Sequence, residues 1–191
     1  MSNTLLFLVP TVLVLLVVGV LLWGVVIYNR LVARRQQVAA SGAQVDVQLK
    51  RRHDLVPNLV ETVRGYAVHE RGTFEAVTAA RGSAVAALGG PREPQAQAEA
   101  ALGGALSRLL AIGEAYPDLR ASATFHALQS ELADTEDKIA YARQFLNGSV
   151  QGLNTAVQSF PSSVVAGLTG FGPAEYFRAA DEDRGPVAVR F

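Results

Sequence analysis

Hydrophobic and polar positions divide the chain into one unbroken apolar run followed by stretches of helical period. From Leu5 to Tyr28 no side chain is charged, and leucine and valine are interrupted only by Pro10, Thr11, Gly19 and Gly24. About 20 apolar residues rising 1.5 Å each cross a hydrocarbon core of roughly 30 Å, so the run predicts a transmembrane helix over residues 5–28. Trp23 and Tyr28 stand near its C-terminal end, where amphipathic rings favour the headgroup level.

Beyond Tyr28 the apolar positions keep the period of a helix and not the alternation of a strand. Val38, Val45, Leu49, Val56, Val60 and Val63 predict a first helix from about Asn29 to Tyr66 that continues the membrane helix. Pro57 lies inside it and is expected to kink or break it, since proline lacks an N–H and crowds the preceding turn. A second helix reads from a Thr73 cap to Leu88. Gly89-Gly90-Pro91-Arg92-Glu93-Pro94 marks a loop, and a third helix spans Gln95 to Ala115. The fourth carries the most sustained pattern. Phe125, Leu128, Leu132, Thr135, Ile139, Ala142, Leu146, Val150, Leu153, Val157 and Phe160 recur at three- and four-residue steps, a coiled-coil-like seam capped by Ser122 or Thr124 and ended by Pro161.

Helix lengths constrain the topology. Helices one and four would each reach about 55–60 Å, and the two between them about half that. Short connections make successive helices antiparallel neighbours. The expected fold is all-α: an N-terminal transmembrane helix continuing into an antiparallel up-down four-helix bundle with two long and two short helices. Residues 1–28 would form the extracytoplasmic N-terminus and anchor, 29–160 the bundle, and 161–191 an irregular C-terminal tail returned to the membrane. In this register Lys50, Arg51 and Arg52 lie opposite Asp134, Glu136 and Asp137 as interhelix ion pairs. The plainer alternative is two separate solvated charge runs.

Charge adds an orientation. No Lys or Arg precedes the apolar run, whereas Arg30, Arg34 and Arg35 follow it at once. Positive flanks stay on the cytoplasmic side, which predicts an outward N-terminus and a cytoplasmic domain. The same missing basic n-region argues against a cleaved signal peptide, so the anchor is expected to be retained. Trp23, Tyr28, Arg30, Arg34, Arg35, Phe171, Tyr176 and Phe177 are the expected membrane-interface residues, with the apolar tail resting on protein or on lipid.

Composition narrows the chemistry. The chain holds 17 Lys+Arg against 17 Asp+Glu, a balance that lacks the basic footprint of a nucleic-acid binder. With 0 cysteines, disulfides, thiol nucleophiles and Cys-based metal sites are excluded. The three histidines, His53, His69 and His126, belong to no His-Glu-x-x-His or Glu-x-x-His pattern. Gly-x-Ser-x-Gly elbows and Walker-type loops are also missing from the chain. No cofactor, metal or small-molecule substrate is expected. The polar motif of Asp46, Lys50, Arg51, Arg52, His53, Asp54 and Asn58 reads as a partner-facing or register-setting surface.

Several long motifs resemble one family. Tyr28-Asn-Arg-Leu-Val32 is followed by Gln44-Val-Asp-Val-Gln-Leu-Lys-Arg-Arg-His-Asp-Leu-Val-Pro-Asn-Leu-Val-Glu-Thr-Val63 and Glu114-Ala-Tyr-Pro-Asp-Leu119. Then come Ile139-Ala-Tyr-Ala-Arg-Gln-Phe-Leu-Asn147, Ser159-Phe-Pro-Ser162 and Phe171-Gly-Pro-Ala-Glu-Tyr-Phe177. The chain thus resembles the LemA family of bacterial membrane proteins over essentially its whole length. It departs at Ser41-Gly42-Ala43, where the family often places Ala and Trp. The resemblance implies an N-out anchor, a cytoplasmic helical bundle and no transferable enzymatic activity, and one magnetosome-associated relative suggests a role in membrane organisation.

The leading expectation is a non-enzymatic, membrane-anchored scaffold or adaptor that binds protein partners or copies of itself. One alternative is a membrane-organising or lipid-interface protein acting through its stalk and tail. Another is a hydrolase using His53 with carboxylates of the fourth helix.

Overall fold

The computed structural model describes residues 2–67 and 69–177, and all regular structure among them is helical. In chain order the helices are α1 (Ser2–Arg64), α2 (Arg71–Ala87), α3 (Arg92–Ala115), α4 (Pro117–Arg120), α5 (Ala123–Gln158) and α6 (Ser162–Thr169). One stretch within α1 is long and apolar enough to cross a membrane, and it is almost wholly uncovered by protein. The chain folds as two units. One joins residues up to Ala40 with Gly148–Ala174; the other comprises Ser41–Asn147 with the described residues from Glu175. The rest of the 161–191 tail, beyond Phe177, lies outside the described residues.

In the second unit five helices feed one apolar core, α4 through Leu119 alone. Val56, Leu59, Val60 and Val63 come from α1, Phe74 and Val77 from α2, Leu102, Leu106 and Leu109 from α3, and Phe125 and Leu132 from α5. The seam of α5 is inward as its period requires. Phe125, Leu132, Thr135, Ile139, Ala142, Leu146, Val150 and Leu153 are all buried. Phe160 differs, being 83% exposed, because α5 ends at Gln158 and the residue falls past the last turn.

Helix starts follow local chemistry. Ser122 Oγ accepts the amide of Phe125 at 3.4 Å, so Ser122 and not Thr124 caps α5. Helix α3 begins at Arg92, earlier than Gln95, because Pro94 then sits in the first turn, where its missing N–H would have no intrahelical partner. Likewise α2 begins at Arg71, leaving Thr73 inside the first turn.

Helix α1 continues through Pro57 without a break. The amide missing at Pro57 is the one that would bond the carbonyl of His53, four residues back. Arg81 Nε of α2 donates to that same carbonyl at 2.7 Å. The proline is exposed, so its ring meets little outside its own helix, while the orphaned acceptor docks a neighbouring one. Arg81→Ala is expected to cost about 1–2 kcal/mol, the range for leaving a half-buried acceptor unmatched. In a Pro57→Ala background the restored amide satisfies His53, and the Arg81 penalty should largely vanish. A double-mutant cycle by urea denaturation measures that coupling, and additive losses would contradict the account.

The first unit is built on α1, the C-terminal part of α5, and α6. Ile27 and Leu31 pack against Ala166, joined by Val157, Val165 and Phe171. The stretch expected to be irregular thus carries a helix, α6. It ends at Gly170, whose φ of 73° suits a residue without Cβ, and the amide of Phe171 closes on the carbonyl of Ala166 at 3.0 Å. Asn154 of α5 then brackets Ala174: its Nδ2 donates to the Ala174 carbonyl at 3.0 Å, and its Oδ1 accepts the Ala174 amide at 2.7 Å.

Candidate functional site

The polar motif of α1 lies in the second unit, where it splits between inward and outward residues. Arg52 and His53 point inward and are 5% and 1% exposed. Both meet Glu99 of α3, which sits among alanines and is itself buried. His53 Nε2 contacts Glu99 Oε1 at 2.8 Å, and Arg52 Nη2 contacts Glu99 Oε2. Arg52 Nη1 donates to both oxygens of Glu136 on α5, at 2.8 and 3.1 Å. One guanidinium therefore ties α1 to α3 and α5. Its planar fork suits this, since it presents five donors in fixed directions.

Electrostatics of the cluster follow from burial against pairing. Burial pushes the Glu99 carboxyl up, but the bond to His53 and the Arg52 charge outweigh it, leaving it below the usual carboxylate range. Burial likewise disfavours the Arg52 cation, and Glu136 with Glu99 more than restores it. Nδ1 of His53 has no hydrogen-bond partner. An Nε2–H tautomer meets Glu99 and leaves only a lone pair at Nδ1, the less costly arrangement. A cleft of about 350 Å³ opens beside the cluster, lined by Arg52, Glu99, Glu136, Arg143 and Phe177 among others.

Other residues of the motif are placed differently. Arg51 reaches Glu131 at 3.1 Å, one turn from the expected acids. Lys50 turns back to Asp54 at 2.6 Å, and Asp134 to Lys138 at 2.6 Å, both within their own helices. Short i,i+4 reach wins over the longer span between helices at exposed positions. Asp54 and Asp134 are lowered chiefly by the hydrogen bonds from those lysines. Asp46 accepts from Gln95 Nε2 at 2.8 Å and Arg92 Nη1 at 3.4 Å. Asn58 is exposed, and its backbone carbonyl accepts from Thr62 Oγ1 at 2.8 Å. Gly42 makes room for Arg92: a Cβ there would stand 2.3 Å from Arg92 Nη2.

Phe177, for which the sequence leaves packing on protein or on lipid open, is 3% exposed within the second unit. Asn147 holds its backbone, donating to the Phe177 carbonyl at 3.0 Å and accepting its amide at 2.9 Å. The Arg143 and Arg92 guanidinium carbons lie 4.8 and 6.0 Å from its ring centroid. A ring with two cations near it and its backbone gripped by Asn147 is better served by protein than by lipid. Tyr176 beside it is exposed. Two asparagines spaced one heptad apart on α5, Asn147 and Asn154, thus each bracket a tail residue in their own unit. Sequence reading missed this use, although Asn147 closes one quoted motif and Phe177 another.

The other interface candidates stand in the first unit. Phe171 meets Tyr28 edge to face, with centroids 5.9 Å apart, and Arg35 lies 6.0 Å from the Phe171 ring. Arg34 Nη1 donates to the Gly152 carbonyl at 2.7 Å. Trp23, Arg30 and Arg34 line a cleft of about 490 Å³.

One further surface of the second unit is apolar and open. A groove of about 750 Å³ runs between α1 and α5, lined by Val47, Tyr141 and Phe145 with Gln44, Asp137 and Lys138 at its edges. Val47 and Tyr141 are 62% and 73% exposed, unusual for large apolar side chains grouped together.

An all-helical chain with a long apolar N-terminal helix, a buried ion cluster and an open groove describes a membrane-associated helical protein. A family model described as the LemA family matches residues 41–191, and the chain belongs to that family. It is similar to the magnetosome protein MamQ of Magnetospirillum gryphiswaldense, 30% identical over 184 residues, covering 84% of this chain and 68% of that protein. Magnetosome proteins MamQ 1 and MamQ 2 of Paramagnetospirillum magneticum are 27% identical over the same shares. Neither the family description nor these names denotes a catalytic activity.

Proposed function

We propose that the protein is a membrane-anchored, non-enzymatic scaffold of the LemA type that self-associates through the groove between α1 and α5. It would lie in a bacterial inner membrane with its N-terminus outside and its second unit in the cytoplasm. The observation that carries this reading is the exposed set of Val47, Tyr141 and Phe145 at the groove. Apolar groups held open to water are poised to gain by burial against a helix. Asp137 and Lys138 also line the groove, and a two-fold axis would set the acid of each copy toward the base of the other, which favours a second copy as the occupant. His53 supports this non-enzymatic reading, because it is shut from solvent and committed to Glu99.

Tyr141→Glu tests the scaffold reading, since its side chain is exposed and its loss leaves the core intact. Light scattering of the detergent-solubilised full chain should give a dimer for the parent and a monomer for the variant. A parent that is monomeric at micromolar concentration, or a variant that stays dimeric, would contradict the groove. A second reading, membrane organisation through the first unit, is favoured by the lack of any charged residue between Arg143 and Glu175. That uncharged stretch includes α6, whose Val164 and Leu168 are exposed.

A further inference from the structure

The first unit has an uneven charge inventory. Residues 1–40 and 148–174 contain Arg30, Arg34 and Arg35 and no Asp or Glu, although the chain has 17 acids. No carboxylate of this unit therefore faces the arginines, from α1, α5 or α6. Arg34 commits one nitrogen to the Gly152 carbonyl, and a Cβ at Gly152 would stand 2.9 Å from that nitrogen, so glycine is what admits the arginine. The remaining guanidinium donors and Arg30 border the 490 Å³ cleft with the hydroxyl-bearing Thr155, Ser159 and Ser162.

A second cavity adjoins the first. A groove of about 540 Å³ lies between Val20–Tyr28 of α1 and the Phe160–Thr169 segment, and Trp23 and Pro161 line both cavities. Its walls are apolar, and Phe160, Val164 and Leu168 stand 83%, 54% and 84% exposed. A cationic, hydroxyl-lined cleft thus opens onto an apolar trough, the two halves of a phospholipid's chemistry.

Depth agrees. With Tyr28 at the hydrocarbon boundary, Arg30 to Arg34 reach about 3–9 Å beyond it along the helix. The headgroup layer is roughly 5–7 Å thick on each side, so the Arg30 backbone stands within it and that of Arg34 just beyond, with a side chain long enough to reach back to phosphate level. The trough at Val20–Tyr28 then stands among acyl chains, where α6, without charge, costs nothing in buried ions.

We propose that the first unit binds one anionic phospholipid, its phosphate held by Arg30 and Arg34 and its acyl chains laid in the trough beside α6. The proposal rests on α1 entering the bilayer. Arg35, which faces Phe171, is outside the site, which separates a built pocket from general attraction to an anionic surface.

Trp23 is the only tryptophan in the chain and lines both cavities, so all the tryptophan fluorescence arises beside the site, and lipid preference rather than quenching itself is the readout. The test uses the full chain in dodecyl maltoside titrated with brominated phosphatidylglycerol or brominated phosphatidylcholine, following quenching of Trp23. Phosphatidylglycerol should quench at about a tenfold lower mole fraction. Arg30→Gln with Arg34→Gln should abolish that preference, Arg35→Gln should keep it, and Leu168→Gln should weaken both lipids alike. Helicity by circular dichroism confirms that each variant is folded. Equal quenching by the two lipids, or equal loss with Arg35→Gln, would overturn the site. Displacement of phosphatidylglycerol by millimolar inorganic phosphate would also overturn it, marking a free-anion pocket. Trp23 untouched by either lipid would instead sink the insertion of α1 on which the proposal rests.

Discussion

Replacing Glu99 with alanine is expected to destabilise the second unit by about 3–5 kcal/mol, the cost of breaking a buried ion pair from one side. His53 would lose its partner and Arg52 its buried one, keeping only the half-exposed Glu136, while both remain almost wholly out of water. Removing Glu136 should cost only about 1 kcal/mol, because its carboxylate is half in solvent and Glu99 still neutralises Arg52. Converting Arg52, His53 and Glu99 together to Met, Leu and Leu should recover most of the loss, since no buried charge is then orphaned. The pH dependence has a definite sign. Glu99 titrates below its ordinary value of 4.5 in the fold, so its stabilisation is complete above that value and is lost as the pH falls through the folded one. Urea denaturation of parent and Glu99→Ala should differ fully at pH 7 and progressively less below pH 4.5. A gap that widens in acid would contradict the assignment.

Phe125→Ala should cost about 3–5 kcal/mol, the range for deleting a buried ring. Its ring fills the space over Gly113 of α3, where a Cβ would stand 2.2 Å from Phe125 Cζ and 2.7 Å from Cε1. Gly113→Ala alone should therefore cost about 1–3 kcal/mol by overpacking, because a ring 2% exposed cannot swing aside without leaving the core. In the double variant the new methyl enters the void left by the ring, so the combined loss should fall short of the sum of the two. Thermal or urea denaturation gives all three values, and strict additivity would show that the two side chains do not share that space.

Much of the fold could be read from the chain because it rests on local period. An uncharged run from Leu5 to Tyr28 announces α1, and the three- and four-residue spacing of α5 names the buried face from Phe125 to Leu153. Side-chain pairing was less legible because it depends on which helix arrives from elsewhere. The expected acids for the basic triplet all lay on the fourth helix, and the structure joins Arg52 to Glu136 there. The buried partner, however, is Glu99, one of three acids in the alanine-rich α3, and no short pattern reveals which of them faces inward. Pro57 misled for a related reason. Its effect on α1 depends on Arg81, 24 residues further on, arriving to satisfy the orphaned carbonyl. Phe177 reads as an interface aromatic until Asn147 and two arginines are seen to enclose it.

The ion cluster and the groove lie on the same unit, and their roles separate cleanly. In the proposed scaffold Arg52 with its two glutamates would set which faces of α1, α3 and α5 meet. The register so fixed leaves Val47, Tyr141 and Phe145 outward together. On that reading, losing the cluster should abolish association by loosening the surface, whereas Tyr141→Glu should remove association and leave stability unchanged.

The most direct test of self-association uses the absence of cysteine from the chain, so that a single Tyr141→Cys introduces one unique thiol. Oxidation of intact membranes at low expression should yield a disulfide-linked species of twice the 20.3 kDa chain mass. A control cysteine at exposed Arg108 of α3, away from the groove, should remain monomeric. A monomer at position 141 under conditions where the thiol is fully labelled, or equal cross-linking at 108, would contradict the scaffold.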